Sequence, residues 1–261
     1  RLAAITGSMT AALAILPGIE VSYAKAETIP LQDDRLITEK VTYQGDGTIM
    51  NAYFAMPKTD RKLPAVMVIH ENRGLNAHIE DVTRRVALAG FIGFAPDALS
   101  VFGGAPSDAD KARELFTKLD MQKNLNNFLA GFDYLSGRKE CKERFGCVGF
   151  CWGGALANQL AVHMPKLKAA VSFYGMQPQA ADVPKIKAAL MLHYASADDR
   201  INTGIPSFEA ALKSSGKRYT LHMYENTQHA FHNDTAPTRY NEAAAKLAWS
   251  RTIEFFNQEL K

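Results

Sequence analysis

Residues 147–154 have the sequence CVGFCWGG, in which Cys151 lies between Gly149 and Gly153. An apolar run precedes this cysteine and a series of small residues follows it, which predicts a strand, a tight turn and a helix. A nucleophile at such a turn needs glycines two residues before and after it, because larger side chains would collide with neighbouring backbone. The segment therefore predicts a nucleophile elbow with Cys151 at its apex, where the helix N-terminus would favour a thiolate. The alternative is a buried structural cysteine.

The segments on both sides of this turn alternate between strand and helix patterns. Strands are predicted at residues 36–43, 48–56, 64–69, 91–95, 147–150, 169–173, 188–193 and 218–223. Helices are predicted at residues 79–89, 107–118, 121–136 and 204–214, after the elbow and at the C-terminus. The first two strands are joined by Gly45-Asp46-Gly47, which is a hairpin signal. The pattern predicts an α/β fold, with a leading β-hairpin and a mostly parallel, doubly wound sheet that carries helices on both faces.

The composition excludes several classes of protein. Of the 261 residues, 47% are hydrophobic and 22% are charged, which is close to average globular usage and excludes a mainly disordered chain. The formal net charge is +3 and charges of both signs are interspersed, so no nucleic-acid or membrane-surface partner is indicated. The three cysteines cannot all pair with one another, so no disulfide framework is implied. Cys141 and Cys147 are expected to be structural thiols, and the alternative is a disulfide between them in an oxidising compartment.

The N-terminal segment differs from the rest of the chain. Residues 2–19 are mostly apolar and uncharged, and Ala24-Lys25-Ala26 follows, a pattern typical of a secretory signal and its cleavage site. The alternative is a helix packed on the domain. No stable membrane span is expected, because Pro17 and Gly18 interrupt the apolar stretch. Residues 1–35 are thus predicted to precede one domain at 36–261, in a protein that is cytoplasmic, or exported to the periplasm if residues 1–26 are a signal remnant.

An acid and a base are expected after the nucleophile along the chain, each following a later strand. Asp198 and Asp199 follow the predicted strand at residues 188–193, and His229 follows the last predicted strand. The residues alone do not choose between the two aspartates. His232 is a competing base, but the elbow pattern gives it no role. Cys151, one of these aspartates and His229 are therefore the candidate catalytic residues.

The loop after the strand at residues 64–69 has the sequence His70-Glu71-Asn72-Arg73-Gly74. An oxyanion hole at an elbow uses the backbone N–H of the residue after the nucleophile and a second N–H from this loop. Trp152 and Asn72 are therefore the candidate donors. Glu71 is either a carboxylate that holds the thiol proton or orients Arg73, or one half of a simple surface pair with Arg73.

Together, the loop at residues 70–74, the elbow, Asp198 and His229-Ala230-Phe231 resemble the dienelactone hydrolase family, the carboxymethylenebutenolidase-like branch of the α/β-hydrolases. The likeness extends from about Leu36 to Lys261. It implies that Cys151 is the nucleophile, that His229 is the base and that Asp198, rather than Asp199, is its orienting acid. It also implies that Glu71 governs ionisation of the thiol, and that neither a cofactor nor a metal is required.

Arginines are the point at which the chain departs from the family pattern. Relatives that act on dienelactone bind the substrate carboxylate through arginines, one of them shortly after the catalytic histidine. Residues 230–234 contain no arginine, the next one is Arg239, and residues 96–104 contain none either. Arg73 is therefore the candidate substrate-binding residue, and dienelactone itself is less expected than other esters or lactones.

The leading hypothesis is a cysteine-dependent hydrolase of small carboxylic esters or lactones, with a small-molecule substrate as its partner and a monomeric or small homo-oligomeric state. One alternative is a non-catalytic relative that binds a small molecule in the same pocket. Another is a metal-dependent hydrolase that uses His229, His232 and Asp234, although the H-E-x-x-H pattern is missing.

Overall fold

Eight strands form one sheet in the computed structural model, which describes residues 28–261. The segment interpreted above as a signal remnant or a packed helix, residues 1–26, lies outside this range. The strands are β1 (Leu36–Gln44), β2 (Ile49–Pro57), β3 (Leu63–Ile69), β4 (Ile92–Pro96), β5 (Cys141–Phe150), β6 (Ala169–Phe173), β7 (Ala189–Ala197) and β8 (Tyr219–Gln228). The α-helices are α1 (Ala77–Leu88), α2 (Ala109–Phe116), α3 (Met121–Ser136), α4 (Trp152–His163), α5 (Asp199–Asn202), α6 (Ile205–Ser214) and α7 (Glu242–Leu260). Two 3-10 helices cover Ala98–Phe102 and Ala180–Lys185.

The order of the strands across the sheet is β1-β2-β4-β3-β5-β6-β7-β8. The hairpin β1–β2 is antiparallel and β2 also pairs antiparallel with β4, whereas every pair from β4 to β8 is parallel. The predicted α/β fold, with a leading hairpin before a mostly parallel sheet, is confirmed. In such a sheet the carboxyl ends of the parallel strands lie along one edge, where side chains from distant parts of the chain meet.

Apolar side chains form a core on each face of the sheet. All residues of β3 are buried, and they alternate between the two faces: Met67 packs with α3 and α4, and Val66 packs with α1 and α7. Alternation with a period of two is the property of strands that places neighbours on opposite faces. Each such side chain contributes about 1.5–3 kcal/mol through removal from water, so β3 fixes the centre of the sheet.

β5, β7 and β8 each extend at one end by four or more residues beyond their sequence patterns, and β7 ends at Ala197 rather than residue 193. β5 starts at Cys141 rather than residue 147, because its first half carries the exposed residues Lys142, Glu143 and Arg144, which give no apolar signal. β8 continues to Gln228 rather than ending at residue 223. It is an edge strand, and most of its side chains are at least partly exposed. A buried run identifies only strands that are covered on both faces.

Residues 28 and 29, in the segment predicted to precede the domain, are tied to helix α1. The backbone N–H of Ile29 donates to Asp81 Oδ1 at 2.7 Å, and Arg84 Nε donates to the carbonyl of Ile29 at 3.0 Å. Arg85 donates to the hydroxyl of Thr28 at 2.8 Å. Between residues 28 and 261, none of the helices combines the length and the apolar character needed to cross a bilayer.

Candidate active site

Cys151 lies in a sharp turn between β5 and α4. Its backbone has φ 56° and ψ −113°, a conformation that is unfavourable for a residue other than glycine and costs roughly 1–3 kcal/mol. Two hydrogen bonds hold it: the N–H of Cys151 donates to the carbonyl of Phe173 at 3.0 Å, and its carbonyl accepts from Ala155 at 3.1 Å. The structure thus has the strand, turn and helix that the sequence predicts around this cysteine.

The glycines on either side allow this turn to pack. A Cβ atom at Gly149 would lie 1.9 Å from the carbonyl oxygen of Gly153, and a Cβ atom at Gly153 would lie 2.4 Å from the carbonyl oxygen of Ile69. Real contacts of this kind do not fall below about 3 Å. Both positions therefore require glycine because backbone, which has little freedom to move, occupies the space.

His229 follows β8 and its ring bonds to an aspartate after β7. The Nδ1 atom of His229 lies 2.5 Å from Oδ2 of Asp198, whose side chain is buried, whereas the neighbouring Asp199 is exposed at the start of α5. The carboxylate accepts, so Nδ1 carries the proton and Nε2 is left as the acceptor. This geometry is that of an imidazole oriented by an acid.

A cavity of about 290 Å³ brings the predicted residues together. The residues that line it include Cys151, His229, Glu71, Asn72, Arg73, Asn233, Thr235 and Arg239. The buried Asp198 is outside this lining, on the other side of the histidine ring. The carboxyl ends of β3, β5 and β8 thus supply one site, as expected for the edge of a parallel sheet.

A second cavity of about 310 Å³ adjoins the first and shares Arg73, Asn233 and Thr235 with it. The rest of its wall is mostly apolar: Leu75, Ala77, Ala105, Pro106 and Ala109. The cavity at the Cys151 thiol is therefore polar, and the cavity beside it is more apolar.

The Cys151 thiol is surrounded by groups that keep it protonated. Burial, followed by the negative charge of Glu71, raises the pKa of Cys151 to about 12, and Asp198 acts in the same direction. The backbone N–H of Trp152 and the charge of Arg200 oppose the shift without reversing it. The helix N-terminus alone favours a thiolate, but burial and the carboxylate outweigh it, so the resting group at neutral pH is a thiol.

Glu71 is held by two neutral donors. The side-chain amide of Asn233 donates to Oε2 at 2.7 Å and the hydroxyl of Tyr174 donates to Oε1 at 3.4 Å. Among residues 28–261, no lysine or arginine nitrogen forms an ion pair with Glu71, so the simple pair with Arg73 considered above is not formed. The sequence gives no signal for Asn233, because contact between residues so far apart depends on how two loops meet.

His70 fixes the loop that carries Glu71 and Asn72. Its Nδ1 atom lies 2.7 Å from the carbonyl of Glu71, and its Nε2 atom accepts from the N–H of Ala98 at 3.0 Å. These partners assign the proton to Nδ1. The ring also stacks on Trp152, with centroids 5.5 Å apart and planes 9° apart. His70 thus connects the two segments that carry the candidate oxyanion donors.

Arg239 reaches the cavity although it lies ten residues after His229. Successive turns fold the intervening segment: Ala236 N donates to the carbonyl of Asn233, and Arg239 N donates to that of Ala236. The N–H of Asn241 then donates to the carbonyl of Phe231, which brings the chain back. Asparagine, aspartate and proline in this segment are the signal that could have indicated turns.

His229, His232 and Asp234 point to different partners. His232 is buried against the ring of Phe150, and burial lowers its pKa well below the usual value. Asp234 pairs with His78 and Arg85. Across the residues that the structure describes, no group of three or more His, Cys, Asp or Glu side chains is arranged to hold a metal ion.

A family model and curated relatives identify the family of this chain. The model of the dienelactone hydrolase family matches residues 50–260. The "Putative carboxymethylenebutenolidase" of Escherichia coli strain K12 is 31% identical over 242 residues, which cover 87% of this chain and 89% of that protein. The protein of the same name from Salmonella typhi is 33% identical over 231 residues, covering 82% of this chain and 84% of that protein.

A solved structure agrees with this result. The crystal structure of a "Putative Dienelactone Hydrolase" from Klebsiella pneumoniae superposes with a TM-score of 0.78 at 28% identity, covering 85% of this chain and 99% of that one. The matched residues include both the elbow and the loops that carry His229 and Glu71. The chain therefore belongs to the dienelactone hydrolase family and is a hydrolase with the α/β-hydrolase fold.

Proposed function

We propose that this hydrolase cleaves small carboxylic esters or lactones with Cys151 as its nucleophile, His229 as general base and acid, and Asp198 as the residue that orients His229. The observation that carries this proposal is that two features from distant parts of the chain meet in one cavity. The elbow places Cys151 on the wall of a cavity whose lining also includes a histidine that is bonded to a buried aspartate. Membership of the family supports hydrolysis in general, and this geometry supports the specific roles.

The first half of the proposed reaction forms a thioester. The thiol proton passes to Nε2 of His229, either directly or through Glu71, and the sulfur attacks the carbonyl carbon of the substrate. The carbonyl oxygen becomes an oxyanion, which the N–H groups of Trp152 and Asn72 bind. When the intermediate collapses, the bond to the alcohol oxygen breaks, and that oxygen takes a proton from His229.

The second half releases the acid and restores the thiol. Nε2 of His229 accepts a proton from a water molecule, which attacks the thioester carbonyl carbon. The bond between carbon and sulfur breaks, the carboxylic acid leaves, and the sulfur of Cys151 takes the proton that His229 had accepted from water. With a lactone, the alcohol and the acid remain parts of one molecule. Every proton and electron pair is thus supplied by the substrate, water and side chains, so the reaction balances without a cofactor.

Glu71 is proposed to regulate the thiol rather than to attack the substrate. Its negative charge lies close enough to Cys151 to raise the pKa of the thiol. A thiolate that waits in an open cavity would be exposed to oxidation, whereas a thiol is not. In this proposal, the carboxylate keeps the sulfur protonated until a substrate enters and accepts the thiol proton during attack.

The walls of the cavity favour a substrate that carries a negative group. Arg73 and Arg239 both line it, and guanidinium groups pair with carboxylates in a bidentate manner. The adjoining cavity, which shares Arg73, has space and apolar surface for a hydrocarbon part of the substrate. We propose that Arg73 is the main contact of the anionic group, because it lines both cavities.

A substrate panel tests the proposal. The wild-type protein and Cys151→Ala would be assayed with p-nitrophenyl esters of increasing acyl length, neutral lactones, dienelactone and carboxylate-bearing esters. We expect turnover by wild type alone, together with a thioester acyl-enzyme on Cys151 that mass spectrometry detects at early times. Thermal stabilisation by these ligands without turnover would instead identify a non-catalytic relative that binds small molecules.

A further inference from the structure

The Glu71 carboxylate is anchored without being neutralised. One of its oxygens accepts from the Asn233 amide at 2.7 Å and the other from the Tyr174 hydroxyl at 3.4 Å. Both donors are uncharged, and no Lys or Arg within residues 28–261 forms an ion pair with this carboxylate. A cation in the position of Asn233 would also hold Glu71, but it would cancel the field that Glu71 exerts on the thiol.

The amide of Asn233 is held in one orientation. Its Oδ1 atom accepts two hydrogen bonds from Thr235, one from the backbone N–H at 3.0 Å and one from the hydroxyl at 2.6 Å. Because a backbone N–H is only a donor, the oxygen of the amide must face Thr235 and the nitrogen must face Glu71. Asn233 is only 4% exposed, so water does not compete for these bonds.

The backbone around Asn233 is fixed to the rest of the fold. The next residue, Asp234, pairs with Nδ1 of His78 at 2.8 Å and with Arg85 at 2.5 Å, and both partners lie on helix α1. The preceding residues, Phe231 and His232, are buried in the core. The amide is thus presented to Glu71 by a segment that is tied down on both sides.

We propose that Asn233 is a positioning residue, whose side-chain amide holds the Glu71 carboxylate beside Cys151 while leaving the negative charge of that carboxylate unpaired. The inference rests on the proposed role of Glu71 as the group that keeps the thiol protonated. Asn233 touches neither substrate nor sulfur in this scheme. It acts by keeping Glu71 from turning away from Cys151.

The test is the rate at which iodoacetamide alkylates Cys151, measured against pH for wild type, Glu71→Gln, Asn233→Ala and the double variant. Peptide mass spectrometry would count each cysteine separately. We expect each single variant to alkylate about tenfold faster at pH 7, which corresponds to a decrease of about one unit in the pKa of Cys151. The double variant should be no faster than Glu71→Gln, because Asn233 acts only through Glu71.

An exchange of the two groups should rescue the wild-type behaviour. In the variant Glu71→Gln combined with Asn233→Asp, the amide and the carboxylate change places, so the hydrogen bond and the negative charge both return. We expect its alkylation to slow toward the wild-type rate. If Asn233 had only a structural role, adding Asn233→Asp to Glu71→Gln would not slow alkylation, because neither change alters the backbone around residue 233.

Two further variants serve as a control and as a milder test of the same contact. Asn127→Ala removes another buried amide, one that accepts from the N–H of Asp46 at 2.7 Å, and it should leave alkylation unchanged. Thr235→Val removes only the hydroxyl that orients Asn233, so it should give a smaller acceleration in the same direction. This milder change also serves if Asn233→Ala does not fold.

The outcomes distinguish the role of Asn233 from the role of Glu71 on which it depends. If Glu71→Gln does not accelerate alkylation, Glu71 does not control the thiol and the role of Asn233 is lost with it. If Glu71→Gln accelerates alkylation and Asn233→Ala keeps the wild-type pH profile, only the role of Asn233 is overturned. Equal acceleration by Asn233→Ala with and without Glu71 would also overturn it.

Discussion

Cys147 and Cys151 lie four residues apart in the sequence, one within β5 and the other just after it, yet their surroundings differ. The Cys147 thiol is fully buried in the core and faces the carbonyl of Ala157. Cys151 lines a cavity beside charged groups. Burial raises the pKa of both thiols, but only for Cys151 does a carboxylate add to the shift.

A raised thiol pKa therefore does not by itself identify a functional cysteine. The pKa is raised in both cases, by burial alone for Cys147 and by burial together with a specific charge for Cys151. A charge can be removed by one substitution, whereas burial cannot. The two thiols should therefore respond differently to changes in their neighbours, and four predictions follow from this contrast.

The largest effect is expected when the thiols themselves are removed. Cys151→Ala should abolish ester hydrolysis, because no other nucleophile lies at the elbow, while Cys147→Ala and Cys141→Ala should keep most of it. Initial rates on the best substrate of the panel, with folding checked by circular dichroism, measure this. Similar losses in all three variants would mean that Cys151 has no special role.

The next effect concerns the acid. Asp198→Asn should reduce turnover by up to about 10⁴-fold, because an amide cannot hold His229 with its proton on Nδ1. Asp199→Asn is the matched control, since its side chain is exposed and one residue away. The ratio of kcat values for the two variants is the measurement. Equal tolerance of both changes would show that His229 does not depend on Asp198.

A smaller effect is expected from Glu71→Gln, which should change the two thiols in different ways. Cys151 should be alkylated faster at neutral pH, because loss of the negative charge lowers its pKa, while alkylation of Cys147 should not change. Ester hydrolysis should become about 10²-fold slower, as expected when a proton acceptor is lost. Faster hydrolysis in this variant would contradict the proposed role of Glu71.

The smallest effect is one of stability. Cys147→Ala leaves a small cavity in the core and should lower the free energy of unfolding by about 1–2 kcal/mol, or the Tm by about 3 °C. Activity per folded molecule should stay the same. A thermal denaturation curve and an active-site titration measure the two quantities. A loss of activity without a loss of stability would place Cys147 in the site.

The sequence was informative wherever local pattern determines structure. The elbow could be predicted because its glycines are required by backbone contacts within a few residues and with the adjacent strand. The fully apolar β3 was equally clear. The order Cys151, Asp198 and His229 along the chain placed three residues in the loops that the structure brings to the same edge of the sheet.

Contacts between loops could not be predicted from the sequence. Asn233 bonds to Glu71 across the cavity, and Arg239 reaches it through a series of turns. Neither follows from periodicity, because each depends on the path of an irregular segment. The exposed end of β8 was missed for a related reason, since an edge strand has no buried run.

The order of strands in the sheet has a consequence for folding during synthesis. β3 pairs with β4 on one side and with β5 on the other, where Val66 lies opposite Gly146. When a ribosome has produced the chain only as far as β4, one edge of the most apolar strand is still open and can pair with other chains. The arrival of β5 closes that edge, and the end of β5 is also the turn that carries Cys151. The segment that closes this edge therefore also positions Cys151, whereas Asp198 and His229 join it only after β7 and β8 have been made.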